Sequence, residues 1–233
     1  MKGFDLFAIL LNAEFGRMLL HGVQMTLVIA LGSWLLAMTL AVVLLVVRLT
    51  PSRLAQRAVM GYISYHRNVP TLVQLMLWYF GIASLLPGAV QAWLSEHSAE
   101  AVFAIIGLGL CQAAYFSEDL RSGLRAIPTG QGEAARALGH SYLGAMRHVL
   151  MPQAVRHALP ALVNHSVSLF KNSSLAMAIG VAELTHAVKE IENQSFRAFE
   201  TYLLATVLYL AFSLLIMAGG AWLARRQRIA GAR

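Results

Sequence analysis

Five long apolar stretches dominate the pattern of this chain, at Val23 to Val47, Tyr62 to Leu86, Ala101 to Tyr115, Ala158 to Ala182 and Tyr202 to Ala224. Most approach the ~20 residues that a helix needs to cross a hydrocarbon core of ~30 Å, and all are too long for the ~10 alternating residues of a barrel strand. The pattern predicts an all-α membrane protein with five transmembrane helices. Between the third and fourth stretches the pattern changes, because Gly130 to Pro152 is polar and rich in helix formers. Pro128-Thr129-Gly130 breaks the chain, Glu133 to Leu138 favours a helix, and Gly139 supplies its C-terminal stop. Ser141 can then cap a second short helix through His148, which Pro152 is expected to end. The expectation is an angled pair of helices, shaped as a docking surface.

Composition agrees with that class: 58% of the 233 residues are hydrophobic and 12% are charged. The net charge of +7 resides largely in arginines that border the apolar stretches. Arg48, Arg53, Arg57 and Arg67 fall in the first connection, Arg121, Arg125, Arg136, Arg147 and Arg156 in the third, and Arg225, Arg226, Arg228 and Arg233 at the end. The opposite connections hold Lys2, Arg17, Lys189 and Arg197. By the positive-inside rule the N-terminus is outside and the C-terminus cytoplasmic. Arginines placed this way, without one patch of interleaved aromatics, argue against nucleic-acid binding. Residues 1–20, with Asp5, Asn12, Glu14 and Arg17, lack the pattern of a signal peptide and are expected to remain as an external or interfacial segment. Residues 21–226 are expected to form the membrane domain, with the polar loop at about 125–155, and 227–233 a cytoplasmic tail. Cys111 is the single cysteine, so neither an intrachain disulfide nor a cysteine metal cluster can form. The histidines are scattered without ligand spacing, no metal site is expected, and no catalytic constellation is visible.

The chain resembles the integral-membrane permease subunit of ABC importers, polar amino-acid branch (glutamate/aspartate-type, histidine/glutamine permease family). The loop of that family carries Glu-Ala-Ala, three residues, Gly, nine residues, Ile, one residue and Leu-Pro. Here these positions read Glu133-Ala134-Ala135, Gly139, Val149 and Met151-Pro152, with apolar volume kept at both departures. The likeness extends to Gly22 with Thr26-Leu27, Arg67-Asn68-Val69-Pro70 with Val73-Gln74, and Glu118 with Arg121 and Gly123. It continues through Ile127-Pro128 with Gly130-Gln131 and Leu169 to Leu175, so it covers roughly Gly22 to Trp222.

That resemblance implies the transmembrane domain of a type I importer in a bacterial inner membrane. A second permease chain (identical or related), two cytoplasmic ATPase subunits and an external solute-binding protein would be its partners, besides membrane lipid and the amino-acid substrate. No phosphate loop is present, so this chain is expected to be no enzyme and to bind no cofactor itself, ATP being bound by the partner ATPases. The resemblance makes Glu133, Ala134, Ala135, Arg136 and Gly139 the residues that couple to the ATPase. Glu133 and Arg136 would anchor by polar contacts, Ala134 and Ala135 would allow close approach, and Gly139 would permit the turn.

Lys171, followed by Asn172, Ser173 and Ser174, falls near the middle of the fourth stretch. An unpaired charge at that depth costs about 2.5 to 3.5 kcal/mol, so Lys171 is expected to face the bundle interior or a water-filled cavity. Either it pairs with another helix, in this chain or its dimer mate, or its ammonium binds the carboxylate of a solute, with the neighbouring polar groups completing the site. Many relatives carry Asp where Asn172 stands. Loss of that carboxylate raises the local positive potential and favours an anionic solute, so glutamate or aspartate is the expected substrate, with glutamine or another polar amino acid as the alternative. A channel or structural membrane protein would explain the apolar stretches but not the loop, and a membrane-embedded enzyme would need acid/base groups converging at one depth.

Overall fold

The computed structural model describes residues 4–226. Lys2, Arg228, Arg233 and the tail 227–233 lie outside the described residues. In chain order the helices are α1 (Phe7–Leu10), α2 (Ala13–Arg48), α3 (Arg53–Asn68), α4 (Thr71–Met76), α5 (Gly88–Glu96) and α6 (Ala99–Arg125). They continue with α7 (Thr129–Ala137), α8 (Tyr142–Ala145), α9 (Met151–Asn172), α10 (Leu184–Ser195) and α11 (Ala198–Arg226). Wider π turns occupy Leu77–Ile82 and Met146–Leu150, and tighter 3-10 turns occupy Ala83–Leu85 and Ser173–Ile179.

Asn12 starts α2 by accepting from the backbone N–H groups of Glu14 at 2.9 Å and Phe15 at 3.2 Å, which satisfies two of the donors a helix start leaves open. The helix then runs for 36 residues, about 54 Å at 1.5 Å per residue. It exceeds the bilayer, and its first turns pack against α10. The arginine-rich ends of α2 and α6 lie together, since Arg48 reaches Glu118.

α6 is the centre of the molecule, with α2, α9, α3 and α4 packed around it. One apolar cluster joins α2, α3, α6 and α9 through Ala41, Leu45, Ile63, Phe116 and Leu162. A second joins α2, α4, α6 and the 3-10 turn through Ile29, Leu75, Leu108 and Ile179. α6 and α9 come so close that a Cβ on Gly123 would stand 2.2 Å from the carbonyl oxygen of Ala154. Only glycine fits that contact.

Among the described residues three helices, α2, α6 and α11, are long and apolar enough to cross a membrane, and α3 with Thr71–Leu85 makes a fourth candidate bent by 108°. α9 is not among them, because Arg156, His157, His165, Lys171 and Asn172 interrupt its apolar run. Several predicted boundaries move for local reasons. The stretch Tyr62 to Leu86 breaks at Val69, which Pro70 holds extended at φ −96°, ψ 132°. The third stretch continues as helix to Arg125, since Glu118 and Asp119 find partners on neighbouring helices and Arg121 pairs with Glu118 one turn back, so none of them ends it. The fourth turns from α to 3-10 geometry at Ser173. Pro152 was expected to stop the second loop helix, yet the chain stays helical from Tyr142 into α9 with Pro152 in its first turn. The π turn Met146–Leu150 opens the helix just before Pro152 and so accommodates its ring and missing N–H.

Candidate functional site

The polar loop folds as a compact hairpin. Pro128 precedes α7, and at its other end Gly139 takes φ +88°, the left-handed geometry that favours glycine. The His140 N–H donates to the Ala135 carbonyl at 3.2 Å and the Gly139 N–H to Arg136 at 3.0 Å, which closes the helix end as a Schellman turn. Ser141 then caps α8, its Oγ accepting from the Gly144 N–H at 3.1 Å.

Within the hairpin, Glu133, Ala134, Arg136 and Gly139 are exposed. Ala135 is not: it is 3% exposed, covered by its own chain. The hairpin instead presents Leu138 at 84%, Leu143 at 76% and Tyr142 at 58% exposure. Three large apolar side chains are thus left uncovered around the turn between α7 and α8, an exposure that marks interaction surfaces.

At the other candidate site the α to 3-10 transition sets the geometry. Ser173 is fully buried and its hydroxyl donates to the Phe170 carbonyl at 2.6 Å, while the Ser174 hydroxyl donates to Lys171 at 2.7 Å. Both hydroxyl protons are spent on the helix end, and Ser173 does not share the surface of Lys171. Lys171 is exposed, Asn172 half-buried, and no side chain among the described residues pairs with the ammonium. His157, Pro160, Asn164 and Lys171 are all exposed on α9, at intervals of three, four and seven that line one helix face. The apolar cavity of about 430 Å³ between α2, α9 and α11 uses Val163, Ser166 and Phe170 instead. The interior of one chain therefore supplies neither the cavity nor the partner expected for Lys171.

Several polar contacts were not foreseen. Gln74, fully buried, ties the two limbs of the 108° bend. Its amide donates to the carbonyls of His66 at 3.1 Å and Val69 at 2.7 Å, and its Oε1 lies 2.5 Å from His66 Nδ1. His165 Nδ1 meets Asp119 Oδ2 at 2.6 Å between α9 and α6, Tyr115 packs on His165, and the Arg67 guanidinium lies over Tyr115 at 5.5 Å. Glu118 binds Arg121, one turn along α6, and also Arg48 on α2. Glu183, fully buried, accepts the N–H groups of Thr185 and His186 and the hydroxyl of Tyr209. Thr26 accepts the adjacent Leu184 N–H at 3.0 Å. The nearest sequence signal for these was the recurrence of Thr26, Arg67, Gln74 and Glu118 within the resembling motifs.

Comparison with known proteins bears on what such an arrangement does. Residues 35–229 match the family model described as "Binding-protein-dependent transport system inner membrane component". The nopaline transport system permease protein NocM of Agrobacterium fabrum is 35% identical over 88% of this chain and 87% of its own length. The arginine ABC transporter permease protein ArtQ of Haemophilus influenzae is 32% identical over 89% of this chain and 92% of its own. The glutamate/aspartate import permease protein GltJ of Escherichia coli K12 is 29% identical over 90% and 87%. Among solved structures, an amino acid ABC transporter crystallised with histidines superposes with a TM-score of 0.83 at 26% identity, covering 97% of this chain and all of that one.

Proposed function

We propose, on the premise that this chain belongs to the family of binding-protein-dependent transport system inner membrane components, that it carries acidic amino acids past the exposed polar face of α9. The chain is the permease subunit of an amino-acid ABC importer, with the fold of a type I importer transmembrane domain; it is not catalytic, and the ATPase activity lies in partner subunits. A second permease chain and a solute-binding protein complete the kind of assembly that the family implies.

One observation carries the substrate reading: Lys171 is exposed on a helix face with Asn164 and His157, without a countercharge among the described residues. A bare ammonium facing lipid would cost about 2.5 to 3.5 kcal/mol. The same group facing a water-filled path between two permease chains is solvated and available to a carboxylate. Asn172 beside it is neutral, so the local potential stays positive and disfavours cationic solutes. A second reading, a guanidino or other basic solute, draws on the higher identity to the nopaline and arginine permeases. It places a like-charged side chain in the same path as Lys171.

In this reading the chain lies in the bacterial inner membrane with its N-terminus outside and the hairpin in the cytoplasm. Leu138, Tyr142 and Leu143 seat in the ATPase, while Glu133 and Arg136 make rim contacts. Closure of the two ATPases moves the rigid hairpin, and α6 and α9, which flank it, carry that motion to Lys171. The test is ATP-driven uptake by the full assembly in proteoliposomes, with glutamate, aspartate, glutamine and arginine as competitors. Competition by glutamate and aspartate is expected; competition by arginine alone would sink the acidic reading.

A further inference from the structure

Two adjoining clefts, of about 360 and about 340 Å³, open between the last turns of α2 and α6 and the side of α3, and share Arg48 and Met60 in their walls. Four arginines line them, Arg48, Arg67, Arg121 and Arg125, against the single carboxylate of Glu118. Glu118 already binds Arg48 and Arg121, whereas Arg67 and Arg125 are exposed. The charge is therefore far from balanced within the chain. Arg48 lines both clefts and so links Arg67 in the first to Arg121 and Arg125 in the second along one continuous basic groove.

The walls are mixed: besides the charged groups, Ser64 and Asn68 line the first cleft and Gln56 the second, and Met60 gives both an apolar patch. Leu45, Leu49 and Leu124 line one cleft and Ile63 the other, while α3 itself leaves Leu54 at 78%, Met60 at 45% and Tyr65 at 41% exposure. A free inorganic anion leaves the apolar part of these walls unused. An amphipathic ligand gains from both parts, with its charge among the arginines and its glycerol backbone and upper acyl carbons against the leucines. Because α6 leads directly into the hairpin helix α7, the clefts open on the hairpin side of the molecule. Basic pockets between membrane helices on the cytoplasmic side suit lipid phosphate groups.

We propose that this arginine cleft binds the phosphate-bearing headgroup of an anionic phospholipid. The bound lipid neutralises Arg67 and Arg125 and braces the ends of α2 and α6 next to the hairpin. The site is distinct from the α9 face and does not depend on which amino acid is carried.

Native mass spectrometry of the full-length chain released from detergent micelles reads the site directly, with phosphatidylglycerol and phosphatidylcholine offered separately. Preferential retention of phosphatidylglycerol is expected. The double substitution Arg67→Gln with Arg125→Gln is expected to lower that retention roughly 25-fold, at about fivefold per arginine. The pair Arg67→Lys with Arg125→Lys keeps the charge and is expected to keep the lipid, which separates lost charge from lost fold. Equal retention of the two lipids overturns the proposal, as does undiminished retention in the glutamine pair or equal loss in the lysine pair. Displacement by millimolar inorganic phosphate overturns the lipid as the source of the anion. Loss of the lipid when the ATPase partner is added places a protein surface in the cleft and overturns it as well.

Discussion

Gln74 and His66, eight positions apart, are joined twice across the sharpest bend of the fold: side chain to side chain at 2.5 Å, and Gln74 amide to His66 carbonyl at 3.1 Å. Pro70 has no N–H to give and holds Val69 out of the helical region, so carbonyls at the end of α3 lose their helical donors. Gln74 replaces them from the other limb. In a membrane no water would do so.

Replacing Gln74 by Leu keeps the volume and removes the donors. The expected loss is about 2 to 3 kcal/mol, as buried carbonyls are left unpaired. Thermal unfolding of the purified chain checks it. An unchanged midpoint would show that the bend holds itself.

Asp119 and His165 form a polar contact between α6 and α9 on the hairpin side of Lys171. Each alone would leave a largely buried polar group without its partner. A double-mutant cycle of Asp119→Asn and His165→Gln is therefore expected to be non-additive by about 1 to 3 kcal/mol in stability. Additive losses would mean that the two side chains are merely adjacent.

The hairpin separates two kinds of substitution. Gly139→Ala must adopt φ +88° and is expected to cost about 1 to 2 kcal/mol locally. Ala135→Arg forces a long charge into a site that is 3% exposed and is expected to unfold the hairpin. Leu143→Asp, at an exposed tip, is expected to leave the chain inserted and folded while weakening ATPase copurification at least tenfold. Full ATPase recovery with Leu143→Asp would move the docking surface elsewhere.

How much of this was readable from residues alone follows their chemistry. Apolar runs and arginine placement announced the membrane class, and Pro128, Gly139 and Ser141 announced the hairpin, because both rest on local propensity. The exposed tip was missed because Leu138, Tyr142 and Leu143 look like core residues until their neighbours are known. Pairs such as Gln74 with His66, Asp119 with His165 and Arg48 with Glu118 depend on which helices meet, and no local spacing reports that. Ser173 was read as accessible because the run Asn172-Ser173-Ser174 is polar. The switch to 3-10 geometry turns its hydroxyl inward onto Phe170 instead.

The central claim is that Lys171 meets the side-chain carboxylate of an acidic transported solute. Its most direct measurement is ATP-driven uptake of glutamate and of glutamine by the complete importer, comparing wild type with Lys171→Met at equal expression. Loss of a favourable ion pair of about 1.4 to 3 kcal/mol corresponds to a drop of tenfold or more in glutamate kcat/KM. A much smaller change for glutamine is expected. Equal kinetics for both solutes in both proteins would contradict the account and return Lys171 to a structural role.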